Sequence, residues 1–209
     1  MVPVKAAALL GIALLASAAV PLDVQLKHLR AANAFGVSLL KELRSTNEDA
    51  NIFSPVSISL ALGLFYAGAR GTSQSELSSV LGFTDAKLVD RDAVLSAYKS
   101  LAETKTPNVT FDIANTILIT KGSRILDHYK QDLADYFYAV ARSMDFARDG
   151  ARVAEEVNEW LRDKTKGKIS SLLGGILPVD TVASLLNAVY FKGTWLTKFE
   201  AGKTKMLPF

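Results

Sequence analysis

The chain of 209 residues carries 24 Lys+Arg against 21 Asp+Glu, a formal net charge of +3, with 49% hydrophobic and 22% charged residues. That length holds one domain with a sizeable core, the composition excludes a disordered chain, and the near balance of charge argues against a nucleic-acid binder. The sequence has no cysteine, which excludes a disulfide framework, a thiolate nucleophile and a cysteine-based zinc site.

Lys5 is followed by the apolar run Ala6–Ala16, and Ala16-Ser17-Ala18 fits an A-x-A cleavage site. Residues 1–18 therefore read as a secretory signal peptide, cleaved after Ala18 or Ala19, and the mature chain is expected to be secreted and extracellular. The run is too short to cross a bilayer comfortably, and no other stretch is long and apolar enough, so no membrane anchor is expected. Leu22–Leu43 places Leu22, Leu26, Leu29, Leu40 and Leu43 at helical spacing, with Phe35 and Leu39 alongside, and predicts an amphipathic first helix. Arg44–Asn51 is polar and loop-like.

Ser54-Pro55 then supplies a polar N-cap and a proline at the first helical position, where its missing N–H is no loss. From Val56 to Ala67 the residues are apolar or small on every side, which predicts a helix buried all round, Ile58, Leu60, Leu62, Leu64 and Phe65 included. Gly68 and Gly71 are expected to end it by entering left-handed turns. Ser73-x-x-Glu76 reads as the capping box of a shorter helix running to Leu81. Asp85–Ala102 repeats helical spacing through Leu88, Leu95, Tyr98 and Leu101, and Thr106-Pro107 stops it.

Asn108-Val109-Thr110 is an N-glycosylation sequon. Thr110–Thr120 alternates, with Phe111, Ile113, Ile117 and Ile119 on one side and Asp112, Thr116 and Thr120 on the other, as in a half-buried strand. Lys121-Gly122 turns the chain, Asp127–Tyr138 reads as a helix with Leu133 and Phe137 on one face, and Ala139–Phe146 as a short strand. In Ala151–Lys166, Val153, Val157, Trp160 and Leu161 form a single helical stripe. Gly174-Gly175 and Pro178 mark a loop, and the nearly continuous apolar run Thr181–Phe191 predicts a strand covered on both faces.

The chemistry-bearing residues are few. The two histidines, His28 and His128, lack the nucleophile and orienting carboxylate of a hydrolytic triad, and no G-x-S-x-G elbow occurs. Gly63, Gly68 and Gly71 do not form a phosphate-cradling loop, and no metal-ligand spacing is present, so neither cofactor, metal nor enzymatic activity is expected. The run Arg162, Lys164, Lys166 and Lys168 fits a solvated helix C-terminus better than a polyanion site. Ser54, Ser57 and Asn187 interrupt apolar segments. A buried polar group left unpaired costs about 1–3 kcal/mol, so these three are expected to bond one another or nearby backbone.

Several ordered motifs are similar to those of the serpin (serine protease inhibitor) family. They are Asn51-Ile52-Phe53-Ser54-Pro55-Val56-Ser57-Ile58, Ala67-Gly68-Ala69-Arg70-Gly71-Thr72-Ser73 and Leu77-x-x-x-Leu81-Gly82-Phe83. Near the other end, Leu186-Asn187-Ala188-Val189-Tyr190-Phe191-Lys192-Gly193-x-Trp195 resembles the family's central strand and its exit. The resemblance implies a mixed α/β fold with helices packed around a large central β-sheet, one of them, near Asp149–Lys166, lying across the sheet face. It covers most of Leu22–Phe209 but only the first half of a serpin. Residues 19–209 are thus expected to be the N-terminal portion of a serpin domain, with the reactive loop and its scissile bond outside this chain. It further implies a parent that is a secreted serine protease inhibitor, trapping a serine protease by reactive-loop insertion, whereas this portion alone is inactive. A non-inhibitory serpin, such as a carrier or chaperone, would share all of these residues. Ser54, Ser57 and Asn187 match the family's shutter, and Trp195 matches a tryptophan of its breach. The central strand is expected to lack one neighbour, leaving an apolar edge that pairs with other chains.

Overall fold

A computed structural model of the chain describes residues 20–46, 53–103, 107–203 and 205–206; residues 1–18, read as a signal peptide, and Asn51-Ile52 lie outside them. Among the described residues, six α-helices and three strands follow in order: α1 (Leu22–Thr46), α2 (Pro55–Gly68), α3 (Gly71–Val80), α4 (Arg91–Glu103), β1 (Val109–Thr120), α5 (Asp127–Phe137), β2 (Val140–Met144), α6 (Gly150–Lys164) and β3 (Ala183–Gly193), with a short 3-10 turn at Ala201–Lys203.

The sheet has the order β2-β1-β3. β1 runs antiparallel to β3, from Val109↔Gly193 to Ile119↔Ala183, and parallel to β2, from Thr116↔Val140 to Thr120↔Met144. The parallel pair needs a crossover, which α5 supplies. Because side chains alternate along a strand, each face of the sheet gathers its own core. Ile113, Ile117 and Ile119 of β1 and Leu185 of β3 join α1, α2, α4 and α5 around Leu60, Leu64, Tyr98 and Phe137. Leu118, Met144 and Leu186 face the other way, onto Val153, Val157 and Trp160 of α6. Helix α6 thus crosses the sheet face by the stripe its sequence displays, with Val153, Val157 and Leu161 buried.

Helix α2 begins as its sequence implies. Ser54 is the N-cap, its side chain accepts the Ser57 N–H, and Pro55 occupies the first turn. Its end differs from expectation. Neither glycine terminates it through a left-handed turn: Ala69 is extended, and its N–H donates to Phe65 O. The Ala67 carbonyl accepts instead from Arg70 at 3.1 Å and Arg91 at 2.8 Å, so arginine guanidinium groups satisfy the open carbonyls that a glycine cap serves elsewhere. Gly71, at φ +61, opens α3. Ser73 and Glu76 consequently fall inside α3, whose N-cap is Arg70, and form no capping box. Phe65 is also exposed, so α2 is not buried all round.

Three further elements differ from expectation. Helix α1 buries Gln25, His28, Ala31 and Phe35 and leaves Leu22, Leu26 and Leu40 exposed, while Leu29 and Leu39 are half-buried against the core; the buried face is thus turned away from part of the leucine stripe. Strand β3 lies at the sheet edge and is covered on both faces only in part: Leu185 packs on the α2 side and Leu186 on the α6 side, but Phe191, Lys192 and Gly193 at its end are exposed. Helix α4 starts at Arg91, not Asp85, where the Asp90 carboxylate accepts the Ala93 N–H at 2.8 Å as a side-chain cap.

Candidate functional site

The structure brings Ser54, Ser57 and Asn187 together. Capping by Ser54 (3.3 Å to the Ser57 N–H) fixes the first turn of α2 and aims the Ser57 hydroxyl at the sheet. That hydroxyl donates to the Asn187 carbonyl oxygen, Oδ1. The Asn187 amide in turn donates to Asn115 Oδ1 at 2.7 Å. Asn115 and Asn187 are directly paired across β1 and β3. The result is a polar seam from the start of α2 across two strands, with Ser57 and Asn115 both buried. Buried amides and hydroxyls are held by such bonds because leaving them open is expensive.

Asn115 is the member that sequence reading missed. It has the same strand parity as Ile113 and Ile117, so it faces α2 with them. The alternation of β1 contained that signal, but its partner is set by the β1–β3 register.

A second polar contact lies deeper in the same core. The Tyr98 hydroxyl donates to Ser59 O at 3.0 Å and lies 3.0 Å from Ser59 Oγ; burial raises its pKa far above the usual phenol range. Tyr129, pushed up to about 12 by burial, donates to Leu64 O at 3.0 Å. His28 is 2% exposed, and among the described residues its Nε2 has no hydrogen-bond partner. Its ring stands edge-on to Tyr98 at 4.8 Å and stacks on Phe83 at 6.0 Å. Burial pushes its pKa down to about 4, which keeps it neutral.

Trp195 does not join the seam. It lies beyond β3, 66% exposed, edge-on to Phe199 at 5.6 Å. Asn108 is exposed in the turn that leads into β1. Within the basic run, Lys166 pairs with Asp112 at 2.7 Å and lies 4.4 Å from the Tyr190 ring centre, and Lys164 pairs with Asp163 at 3.0 Å. Asp127 is engaged by Lys130 at 2.9 Å, which holds its carboxyl below the usual range. Among the described residues, no group of three or more histidine or acidic side chains is placed to hold a metal ion, and no helix is long and apolar enough to cross a membrane.

Comparison with known proteins places this geometry. Residues 30–209 match the family model described as Serpin (serine protease inhibitor). The chain is similar to Iripin-2 of Ixodes ricinus, with 41% identity over 186 residues, covering 88% of this chain and 47% of that protein. It is also similar to Intracellular coagulation inhibitor 2 of Tachypleus tridentatus, with 41% identity over 182 residues, covering 86% of this chain and 44% of that protein. Among solved structures, the native stressed conformation of Arabidopsis AtSerpin1 superposes with a TM-score of 0.75 at 29% identity, covering 88% of this chain and 48% of that one. The chain thus spans about half the length of the curated relatives it matches.

Proposed function

Because this chain belongs to the serpin family, we propose that its full-length parent is a secreted serine protease inhibitor that traps its target by loop insertion. A target protease cleaves an exposed loop of the parent and is held as an acyl-enzyme. The freed loop then enters the sheet beside β3 as an additional strand, the family's known form of strand addition. Residues 1–209 alone, without that loop, leave a protease active.

The observation that carries this reading is the seam of Ser54, Ser57, Asn115 and Asn187. Hydrogen bonds contribute only about 0.5–1.5 kcal/mol net each, whereas burying a large apolar side chain contributes about 1.5–3 kcal/mol. A contact zone made of amides and hydroxyls therefore lets β1 and β3 shift against α2 by exchanging partners, at less cost than prising apart packed leucines. The far edge of β3 has no strand beside it among the described residues, so its backbone groups can accept a ladder. The names of the two relatives point the same way only in part: one is called a coagulation inhibitor, and its name also says intracellular. Secretion rests on the signal-like residues 1–18.

The test is to incubate the parent with trypsin-like and chymotrypsin-like serine proteases and resolve the mixture in SDS. A covalent complex that survives denaturation is expected. Cleavage of the parent with full retention of protease activity and no complex overturns the inhibitor reading in favour of a carrier or chaperone.

A further inference from the structure

One feature of the chain lies outside the seam and the sheet edge: Asn108-Val109-Thr110, the single sequon in the sequence. Asn108 is exposed at φ +60, immediately before β1 begins at Val109. Asparagine enters this left-handed region more readily than most residues, so the turn presents its side chain outward without strain beyond what the residue tolerates. Among the described residues its amide makes no hydrogen bond that a modification would break. Val109 pairs with Gly193, which puts Asn108 at the end of the sheet where β3 stops. Two residues past Gly193 comes a segment in which Trp195, Leu196 and Phe199 are all exposed.

We propose that Asn108 carries an N-linked oligosaccharide, standing at the end of the β1–β3 pair from which this exposed apolar segment departs. The modification rests on the reading that the chain enters the secretory pathway. The amide nitrogen of Asn108 displaces a polyprenyl diphosphate from the anomeric carbon of a lipid-linked oligosaccharide. One N–C bond forms, one C–O bond breaks, and the amide proton leaves with the diphosphate. Thr110 supplies the hydroxyl that the sequon requires.

The full chain, with its own N-terminus, is expressed in mammalian cells, and medium and cell fractions are compared before and after peptide N-glycosidase digestion. A single step down in mass is expected. Asn108→Gln and Thr110→Ala each abolish that step, and Thr110→Ser keeps it. Transfer occurs on the nascent chain, so a variant that folds poorly still reports. Chain without a glycosidase-sensitive form in either fraction overturns the proposal. Unmodified chain in the medium overturns the glycan while leaving secretion standing, and glycosylated chain confined to cells supports the glycan while contradicting secretion.

Discussion

Asn187 is bonded on both sides, to Ser57 of α2 and to Asn115 of β1, so its truncation strands two buried groups at once. Asn187→Ala is expected to lower the stability of the parent by about 1–3 kcal/mol in denaturant unfolding and to promote its polymerisation on warming. A double-mutant cycle between Ser57→Ala and Asn187→Ala should show a coupling of about 0.5–3 kcal/mol; additive losses would mean the seam is not a unit. His28 titrates differently in the two states: burial holds it near 4 in the fold, while the unfolded chain takes up a proton near 6.5. Stability is therefore whole above that unfolded value and falls as pH drops from there toward 4, by on the order of 3 kcal/mol. His28→Phe, which keeps an aromatic ring against Phe83 and Tyr98, should remove that acid-dependent loss relative to wild type, leaving the carboxylate contributions common to both. Identical pH profiles would contradict the burial of a neutral imidazole. Ser54, Ser57 and Asn187 were legible in the sequence because polar residues in apolar runs demand partners. Asn115 obeys the same rule, on the apolar side of β1 with Ile113 and Ile117, but the identity of its partner, Asn187, is set only by the β1–β3 register.

Helix α2 shows how an element can be read correctly at one end and wrongly at the other. Its start follows from local chemistry, Ser54 and Pro55, whereas its end is served by Arg70 and by Arg91, and the latter arrives from α4 and leaves no local trace. The helix fits its neighbours closely at Gly63, where an added Cβ would lie 2.8 Å from the Tyr98 ring and 2.9 Å from Phe137. Tyr98 is tethered to Ser59 and cannot swing away. Gly63→Ala should therefore destabilise, because overpacking of about 1–3 kcal/mol exceeds the gain in helix propensity of about 1 kcal/mol. A raised thermal midpoint would show that the aromatic cluster yields. Helix α1 has apolar residues on two stripes, and periodicity alone does not say which one faces inward. Packing buries the stripe with Ala31 and Phe35, and so carries Gln25 and His28 inside with it. Strand β3 differs for another reason: its apolar run reports cover on both faces, which Leu185 and Leu186 meet, but not how far along the strand that cover extends, and Phe191 lies beyond it.

In the molecule as a whole, a narrow mixed sheet separates two cores, one gathered around α2 and the other against α6. β3 forms one border of that sheet, with exposed Phe191 near its end. Residues 1–209 expressed alone are expected to self-associate with rising concentration in sedimentation velocity, since an unpaired apolar edge templates further strands; a monomer at all concentrations would count against a receptive edge. Under the proposed mechanism, the same border is where a cleaved loop of the parent would gain main-chain hydrogen bonds, so the intact molecule should be the less stable form. The most direct measurement is the unfolding midpoint of the parent before and after a single proteolytic cut in its reactive loop. A large upward shift on cleavage is what insertion beside β3 predicts; an unchanged or lowered midpoint would contradict it.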